Sequence, residues 1–290
     1  MTATALSTRK PGQASPAALL SATFATVRAR LLIVSRYKGQ LFNEILTPIV
    51  LAAMPILLGR ATAGDQAAEV FLANTGTANY VGFMLIGSAT FVIVSNAFWH
   101  IANWLRWEME TGTLESIYLT PTHRVFVAAG TGIYSTGRST VGAFVAYLIG
   151  SAIMGINPFQ GDLLIAFLFI LSGLIPLFGM TLFYGALVLK LKEANAMLNL
   201  MQWVVNFLMG VFFPITVMPI AAQWVAKLFP PTWMTNGVRS AMLGVGYFFK
   251  EWYFDLAVLW FFMLAAPMLG IWAFKKIENS VRRNEGVGQF

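Results

Sequence analysis

Amide side chains recur at helical spacing in two apolar stretches of this chain, and no other residues are better placed for chemistry. One stretch carries Asn195, Asn199, Gln202 and Asn206. At about 3.6 residues per turn of α-helix, this spacing puts all four on one face. Amides donate and accept hydrogen bonds without carrying charge, so the face can bind either a neighbouring helix or a polar solute.

The second stretch repeats the spacing with Asn96, His100 and Asn103. Polar groups facing lipid would be costly, so both sets must face protein or water. One interpretation is hydrogen bonding that holds helices together, worth about 0.6–2 kcal/mol per bond. The other is a surface that lines a translocation path. The spacing by itself leaves both open.

No set of residues predicts covalent chemistry or a metal site. The chain has no cysteine and only two histidines, His100 and His123, and neither has a serine partner in a recognisable motif. Asp162 and Asp255 lie at the ends of apolar stretches, far apart in sequence. We therefore expect no catalytic residue, no metal and no cofactor bound by this chain.

A near match to the phosphate-binding loop lies at residues 132–139. It fits G-x-x-x-x-G-K-[ST] except that Arg138 replaces the lysine, and the segment enters an apolar helix instead of following a strand. We read it as small residues that let helices approach closely, and the small face continues at Gly142, Ala146 and Gly150. Arg138 is expected either to reach the headgroups or to pair with an acid.

The composition requires these helices to lie in a membrane. Of 290 residues, 58% are hydrophobic and 11% are charged, whereas soluble domains are about 25% charged. This composition excludes a chain that is disordered as a whole, a coiled-coil protein and a nucleic-acid-binding protein. On so apolar a chain, the net charge of +7 indicates contact with the bilayer surface and no nucleic-acid partner.

The sequence predicts an all-α integral membrane protein with six spans, since a span needs about 20 apolar residues. The predicted spans are about 39–59, 80–104, 133–156, 163–189, 195–213 and 254–274. After the fifth, Pro214 and Pro219 predict irregular chain. Fourteen Lys and Arg residues fall on the side of the termini and four on the other, which predicts cytoplasmic termini in a plasma (inner) membrane.

The N-terminal arm divides into two parts. Residues 1–16 are rich in Pro, Gly, Ser and Thr and are predicted to be disordered. The whole arm before Gly39 lacks a long apolar core and a cleavage pattern, so we expect no signal peptide there. Residues 17–36 predict an amphipathic helix on the inner headgroup layer, with Arg28 and Arg30 beside an apolar stripe. The alternative is a helix packed on other protein. Residues 276–290 are expected to form a cytoplasmic tail.

The loop after the second span, residues 106–124, holds Glu108, Glu110 and Glu115, three of the twelve acids in the chain. Thr113 can cap a short helix that Pro121 ends. On one side of that helix lie Leu114, Ile117 and Tyr118. The alternative is a solvated loop helix that merely closes a turn.

The run from Glu110 to Pro121 resembles the cytoplasmic signature of type-2 ABC transporter permeases. In that family an acidic residue precedes Gly-Thr-Leu-Glu, a few apolar residues follow, and a Thr-Pro or Ser-Pro ends the run. The matching residues here are Glu110, Gly112, Thr113, Leu114, Glu115, Thr120 and Pro121. The six-span plan extends the resemblance over residues 17–275, and the layout is closer to the drug-exporter branch.

The resemblance implies a helix before the first span, an outer re-entrant helical pair between spans five and six, and a coupling helix that contacts an ATPase subunit. The implied coupling residues are Glu108, Glu110, Gly112, Thr113, Leu114, Glu115, Ile117 and Pro121. Spans two and five border the central path in this family, which assigns the two amide sets to that path.

The resemblance also implies partners: two copies of an ABC ATPase subunit, and a second permease protomer in a homodimer or heterodimer. ATP and Mg would be bound by the ATPase, and a drug-like, lipid or glycan substrate would be exported. The alternative is a stand-alone secondary transporter or channel. Such proteins bury acids or histidines for ion coupling, whereas here mid-span acids are nearly absent and Glu44 lies close to one end of its span.

Overall fold

The computed structural model describes residues 23–28, 32, 39–110, 124–191 and 194–285, which are helical with short connections. The longer helices are α1 Gly39–Ala63, α3 Tyr80–Glu110, α4 Arg124–Met154, α5 Leu163–Leu191 and α9 Trp252–Glu285. The shorter helices are α2 Ala67–Thr75, α6 Ala194–Leu208, α7 Ile220–Lys227 and α8 Pro230–Leu243. Two 3-10 turns, Gly64–Gln66 and Ile215–Val217, lie in the connections.

Within the described ranges, five helices are long and apolar enough to cross a membrane. Their apolar stretches are Leu41–Ala63, Tyr80–His100, Gly130–Met154, Leu163–Val188 and Trp252–Ile277. The prediction of an all-helical, multi-pass membrane protein is therefore confirmed. The exposed surface of α1 and α9 is largely apolar, as lipid contact requires.

The predicted fifth span, residues 195–213, is shorter in the structure. Helix α6 ends at Leu208 after 15 residues, a rise of about 22 Å against a hydrocarbon core of about 30 Å. Gly210 adopts a left-handed backbone with φ of 57°, which ends the helix. Pro214 precedes the 3-10 turn and has an extended backbone.

Helices α7 and α8 follow this break, and α8 lies inside the bundle. It begins with Pro230 and Pro231, ends at Gly244 with φ of 68°, and buries almost every residue. Its neighbours are α3, α5 and α9. Its residues Trp233 and Val238 share an apolar core with Phe169 of α5 and Leu259 of α9.

Helices α5 and α9 have the most extensive contact of any helix pair in the described structure. They cross at Gly179 and Gly270, where a Cβ on Gly179 would overlap the backbone of Ala266, and a Cβ on Gly270 would overlap the Gly179 carbonyl. Each helix carries a proline three residues earlier, Pro176 and Pro267. The crossing is therefore a backbone-to-backbone contact that only glycine permits.

The predicted N-terminal helix is described only at residues 23–28, which are helical, and at Leu32. Thr23 and Thr26 lie against Gly130 of α4, where an added Cβ would be 2.8 Å from the Thr23 carbonyl oxygen. Phe24 is 71% exposed on the other side. The contact with Gly130 is packing on protein, which the alternative interpretation predicts, while the Phe24 side chain is largely exposed. Whether the segment lies on the inner headgroup layer stays a prediction.

Candidate functional site

An ion pair within the bundle links α1 to α4. Glu44 Oε1 lies 2.5 Å from Arg138 Nη2, and both side chains are at most 9% exposed. Arg138 Nη2 also lies 3.2 Å from His100 Nε2 of α3. Ser139 Oγ donates to Glu44 Oε1 over 3.4 Å and accepts from Asn96 Nδ2 over 3.1 Å.

These contacts show that Arg138 links α4 to α1 and α3. Of the two expectations from the sequence, pairing with an acid is confirmed. The small face of α4 makes the approach possible: a Cβ on Gly142 would lie 3.1 Å from Glu44 Cβ, and one on Gly150 would lie 2.8 Å from Leu85 Cδ2. Small residues at this spacing do let helices approach closely, as the sequence predicts.

The amide set of α3 bonds between helices in the described structure. Asn96 and His100 contact α4 side chains. Val94 and Phe98, on the opposite face of α3 at helical spacing, share a core with Val205 of α6. Interhelical hydrogen bonding thus accounts for Asn96 and His100, and whether they also border a translocation path stays a prediction. The side chain of Asn103 lies outside the described residues.

The amide set of α6 differs from that of α3. The apolar residues Leu198, Val205 and Met209 turn inward and are buried, whereas Asn199 is exposed and Gln202 and Asn206 are half-buried. Among the described residues, none forms a side-chain hydrogen bond with these three amides. The side chain of Asn195 lies outside the described residues.

Trp203 belongs to the same α6 face, and the sequence reading missed it. Its side chain is 78% exposed, and it lies four residues after Asn199 and three before Asn206, the same helical spacing. We call Asn199, Gln202, Trp203 and Asn206 the amide–indole face. It combines uncharged hydrogen-bonding groups with a large aromatic ring.

The end of α6 is held by side chains of α8. Thr232 Oγ1 donates to the Leu208 carbonyl over 3.0 Å. Arg239 donates to the carbonyls of Gly210 over 2.9 Å and Val211 over 2.6 Å. Arg239 is one of the four basic residues counted on the side opposite the termini; in the structure it is 3% exposed, inside α8. Charge counting cannot separate a buried cation from a solvated one.

The two aspartates noted in the sequence have structural roles. Asp162 Oδ1 accepts from the backbone N–H groups of Leu164 and Ile165 at the start of α5. Asp255 accepts from the backbone N–H groups of Phe248 and Phe249 through its two carboxylate oxygens. Asp162 thus caps the start of α5, and Asp255 holds the connection between α8 and α9 against the first turn of α9.

The predicted coupling helix lies mostly outside the described residues. Gly112, Thr113, Leu114, Glu115, Ile117 and Pro121 all fall between residues 111 and 123, and only the backbone of Glu108 and Glu110 is described. Helix α3 continues to Glu110 and α4 begins at Arg124, and each has 31 residues. At about 46 Å each, both helices exceed a hydrocarbon core of about 30 Å.

Comparison with known families agrees with this architecture. The family model described as ABC-2 type transporter matches residues 21–243, which is well over half of the chain. The matched range includes the five elements that carry the contacts above, α1, α3, α4, α6 and α8. A comparison with curated proteins gives no significant match.

Proposed function

The chain belongs to the ABC-2 type transporter family and is thus a membrane permease of an ABC transporter; on that premise we propose that it works as an exporter subunit. It would move a drug-like, lipid or glycan substrate out of the cell. The energy would come from ATP hydrolysed on a separate ATPase subunit, which would bind ATP and Mg.

The observation that carries this proposal is the amide–indole face of α6. Its amides have no hydrogen-bonding partner among the described residues of the protomer, and amides facing hydrocarbon are costly. Nothing in the described part of the chain satisfies them, whereas water, a solute or a second chain would. Two protomers whose α6 faces meet across a central path would satisfy this need, and the assembly would be a homodimer or heterodimer.

A six-span arrangement fits the proposal if α6 is counted as a shortened fifth span. Helix α6 would cross part of the bilayer, α7 and α8 would return through its outer part, and α9 would complete the crossing. Basic residues concentrate at the termini and in the loops on their side, which supports cytoplasmic termini in a plasma membrane.

Coupling to the ATPase would use the segment between α3 and α4. Both helices are longer than a hydrocarbon core, so the connection would extend beyond the bilayer. We propose that residues 108–121 form a coupling helix, with Leu114 and Ile117 entering an apolar cleft on the partner and Glu115 meeting a basic group.

The amide–indole face favours a solute with hydroxyl or amide groups beside an apolar surface. The second candidate, a secondary transporter or channel, is less favoured because the acids in the five described spans are already engaged. Glu44 is paired with Arg138, and Asp255 accepts two backbone N–H groups. Both carboxylates thus have structural partners, which favours a structural role for them over ion coupling.

Transport by the reconstituted complex tests the proposal. The chain is co-expressed with an ABC ATPase subunit from the same source, purified and placed in vesicles. Movement of fluorescent drugs, lipids and glycans is measured with ATP and with a non-hydrolysable analogue. We expect ATP-dependent transport of at least one class. Transport driven by an ion gradient without the ATPase would favour the secondary transporter instead.

A further inference from the structure

Helices α6 and α8 meet at a joint built from side chains of α8 and main-chain carbonyls at the end of α6. Thr232 and Arg239 of α8 donate to the carbonyls of Leu208, Gly210 and Val211. A helix leaves its last four carbonyls without partners inside the helix. Buried carbonyls need donors, and α8 supplies one hydrogen bond to the last helical residue, Leu208, and two to Gly210 and Val211 just beyond it.

The charge of Arg239 is compensated without a carboxylate among its described contacts. Its guanidinium faces carbonyl oxygens at the negative end of the α6 dipole and lies 3.6 Å from the centre of the Phe83 ring. Its Nε donates to the Phe83 carbonyl over 3.2 Å. One buried cation therefore joins α6, α8 and α3.

A glycine makes room for this arrangement. A Cβ on Gly87 of α3 would overlap both Arg239 Nη2 and the Val211 carbonyl oxygen. The guanidinium and the Val211 carbonyl are thus pressed against the α3 backbone, with no space for another side chain. A guanidinium is planar and its N–H groups point in fixed directions, so Arg239 sets the positions of the two carbonyls that it binds.

The joint reaches the amide–indole face through one residue. The backbone N–H of Val211 donates to the Asn206 carbonyl over 3.3 Å, and the Val211 carbonyl is the acceptor that Arg239 holds most closely. Asn206 lies in the last turn of α6. A shift of the guanidinium would therefore move the end of the face directly.

We propose that Arg239 is a positioning residue for transport, which holds the end of α6 so that the amide–indole face keeps its place along the translocation path. This rests on the proposed function in taking that face as the path lining. The position of α6 can be measured without any transport, however.

The chain has no cysteine, so a single introduced thiol reports on one place. Asn206→Cys is made as the parent, reconstituted in lipid nanodiscs and treated with a charged methanethiosulfonate reagent. We expect Arg239→Gln to change the labelling rate at position 206 several-fold, because α6 loses its cationic anchor. Arg239→Lys keeps the charge but not the planar fork, and its labelling rate should be intermediate.

Thr235→Val is the matched control. Thr235 is buried on the same helix one turn before Arg239, but it bonds Thr90 of α3 over 3.0 Å and does not contact the α6 carbonyls. We expect its labelling rate to equal the parent's. Folding of every variant is checked by its elution as a single species in detergent. A folded Arg239 variant with the parent's labelling rate would overturn the proposal.

Thr232→Val keeps the test decisive if the Arg239 variants do not fold. It removes only the bond to the Leu208 carbonyl, so its labelling rate should shift in the same direction by a smaller factor. A rate equal to that of Thr235→Val would overturn the proposal. Absence of ATP-dependent transport by the unsubstituted chain, by contrast, would count against the proposed function and leave the labelling result intact.

Discussion

Glu44 of α1 and Arg138 of α4 form a buried ion pair, with Oε1 and Nη2 2.5 Å apart. The pair lies beside His100 of α3, so three candidate spans meet at one pair of opposite charges. Each charge would be costly alone among apolar helices, and each is tolerated because the other is present.

Removing one member of this pair should lower the stability of the protein more than removing both. Arg138→Leu leaves the Glu44 carboxylate buried without its cation, and breaking a buried pair costs about 3–5 kcal/mol. The double change Glu44→Leu with Arg138→Leu should recover much of that loss. Arg60→Leu, at the exposed end of α1, is the control. Thermal unfolding in detergent ranks the four proteins, and a double variant less stable than Arg138→Leu would contradict the prediction.

The amides of α6 should matter more for transport than for folding. Asn199, Gln202 and Asn206 have no side-chain hydrogen-bonding partner among the described residues, so replacing all three by Leu breaks no hydrogen bond within that part of the protomer. We expect normal expression and greatly reduced efflux. Replacing the exposed Leu200, Val204 and Phe207 by Ala controls for changes to the helix. Normal efflux from a well-folded triple Leu variant would refute the assignment.

The crossing of α5 and α9 should not accept a methyl group. Gly179→Ala places a Cβ onto the backbone of Ala266, and overpacking of this kind costs about 1–3 kcal/mol. Gly137→Ala is the control, because nothing lies within 4 Å of a Cβ there. The temperature of half-unfolding in detergent should fall for Gly179→Ala alone. Equal stability of the two variants would mean that the crossing is looser than described.

Reversing the charge of Glu115 should weaken contact with the ATPase. Charges at the rim of an interface alter association rate and salt dependence, so Glu115→Lys should reduce recruitment most at low salt. Glu69→Lys, in the exposed part of α2, is the control for charge alone. Co-purification of the ATPase across a salt series measures the effect. Unchanged recruitment would remove the coupling role from residues 108–121.

Residues 17–36 should form a helix with one side in contact with lipid and the other side packed on protein. Spin labels placed singly along residues 17–36 are expected to vary in membrane depth with a helical period. A label at Phe24, which is 71% exposed, should contact lipid. A label at Thr26, which lies against Gly130, should be immobilised. A uniform aqueous signal along the segment would exclude an interfacial helix.

The sequence alone was enough to predict a helical membrane protein and the five helices that are long and apolar enough to cross a bilayer. Apolar stretches of more than 20 residues leave few alternatives in water or lipid, because every backbone group must bond within the helix. The loop signature between Glu110 and Pro121 indicated the family. Small residues at Gly142 and Gly150 predicted close helix contact, because backbone approach depends on local side-chain size.

Only the tertiary structure decided which polar groups find each other. Periodicity put Asn96 and Asn199 on equivalent stripes, yet Asn96 bonds Ser139 and Asn199 has no partner among the described residues. The end of α6 at Leu208, which shortens the predicted fifth span, and the burial of Arg239 likewise depend on where α8 packs. A helical pattern specifies which side chains share a face, but whether that face meets a partner depends on packing between helices distant in sequence.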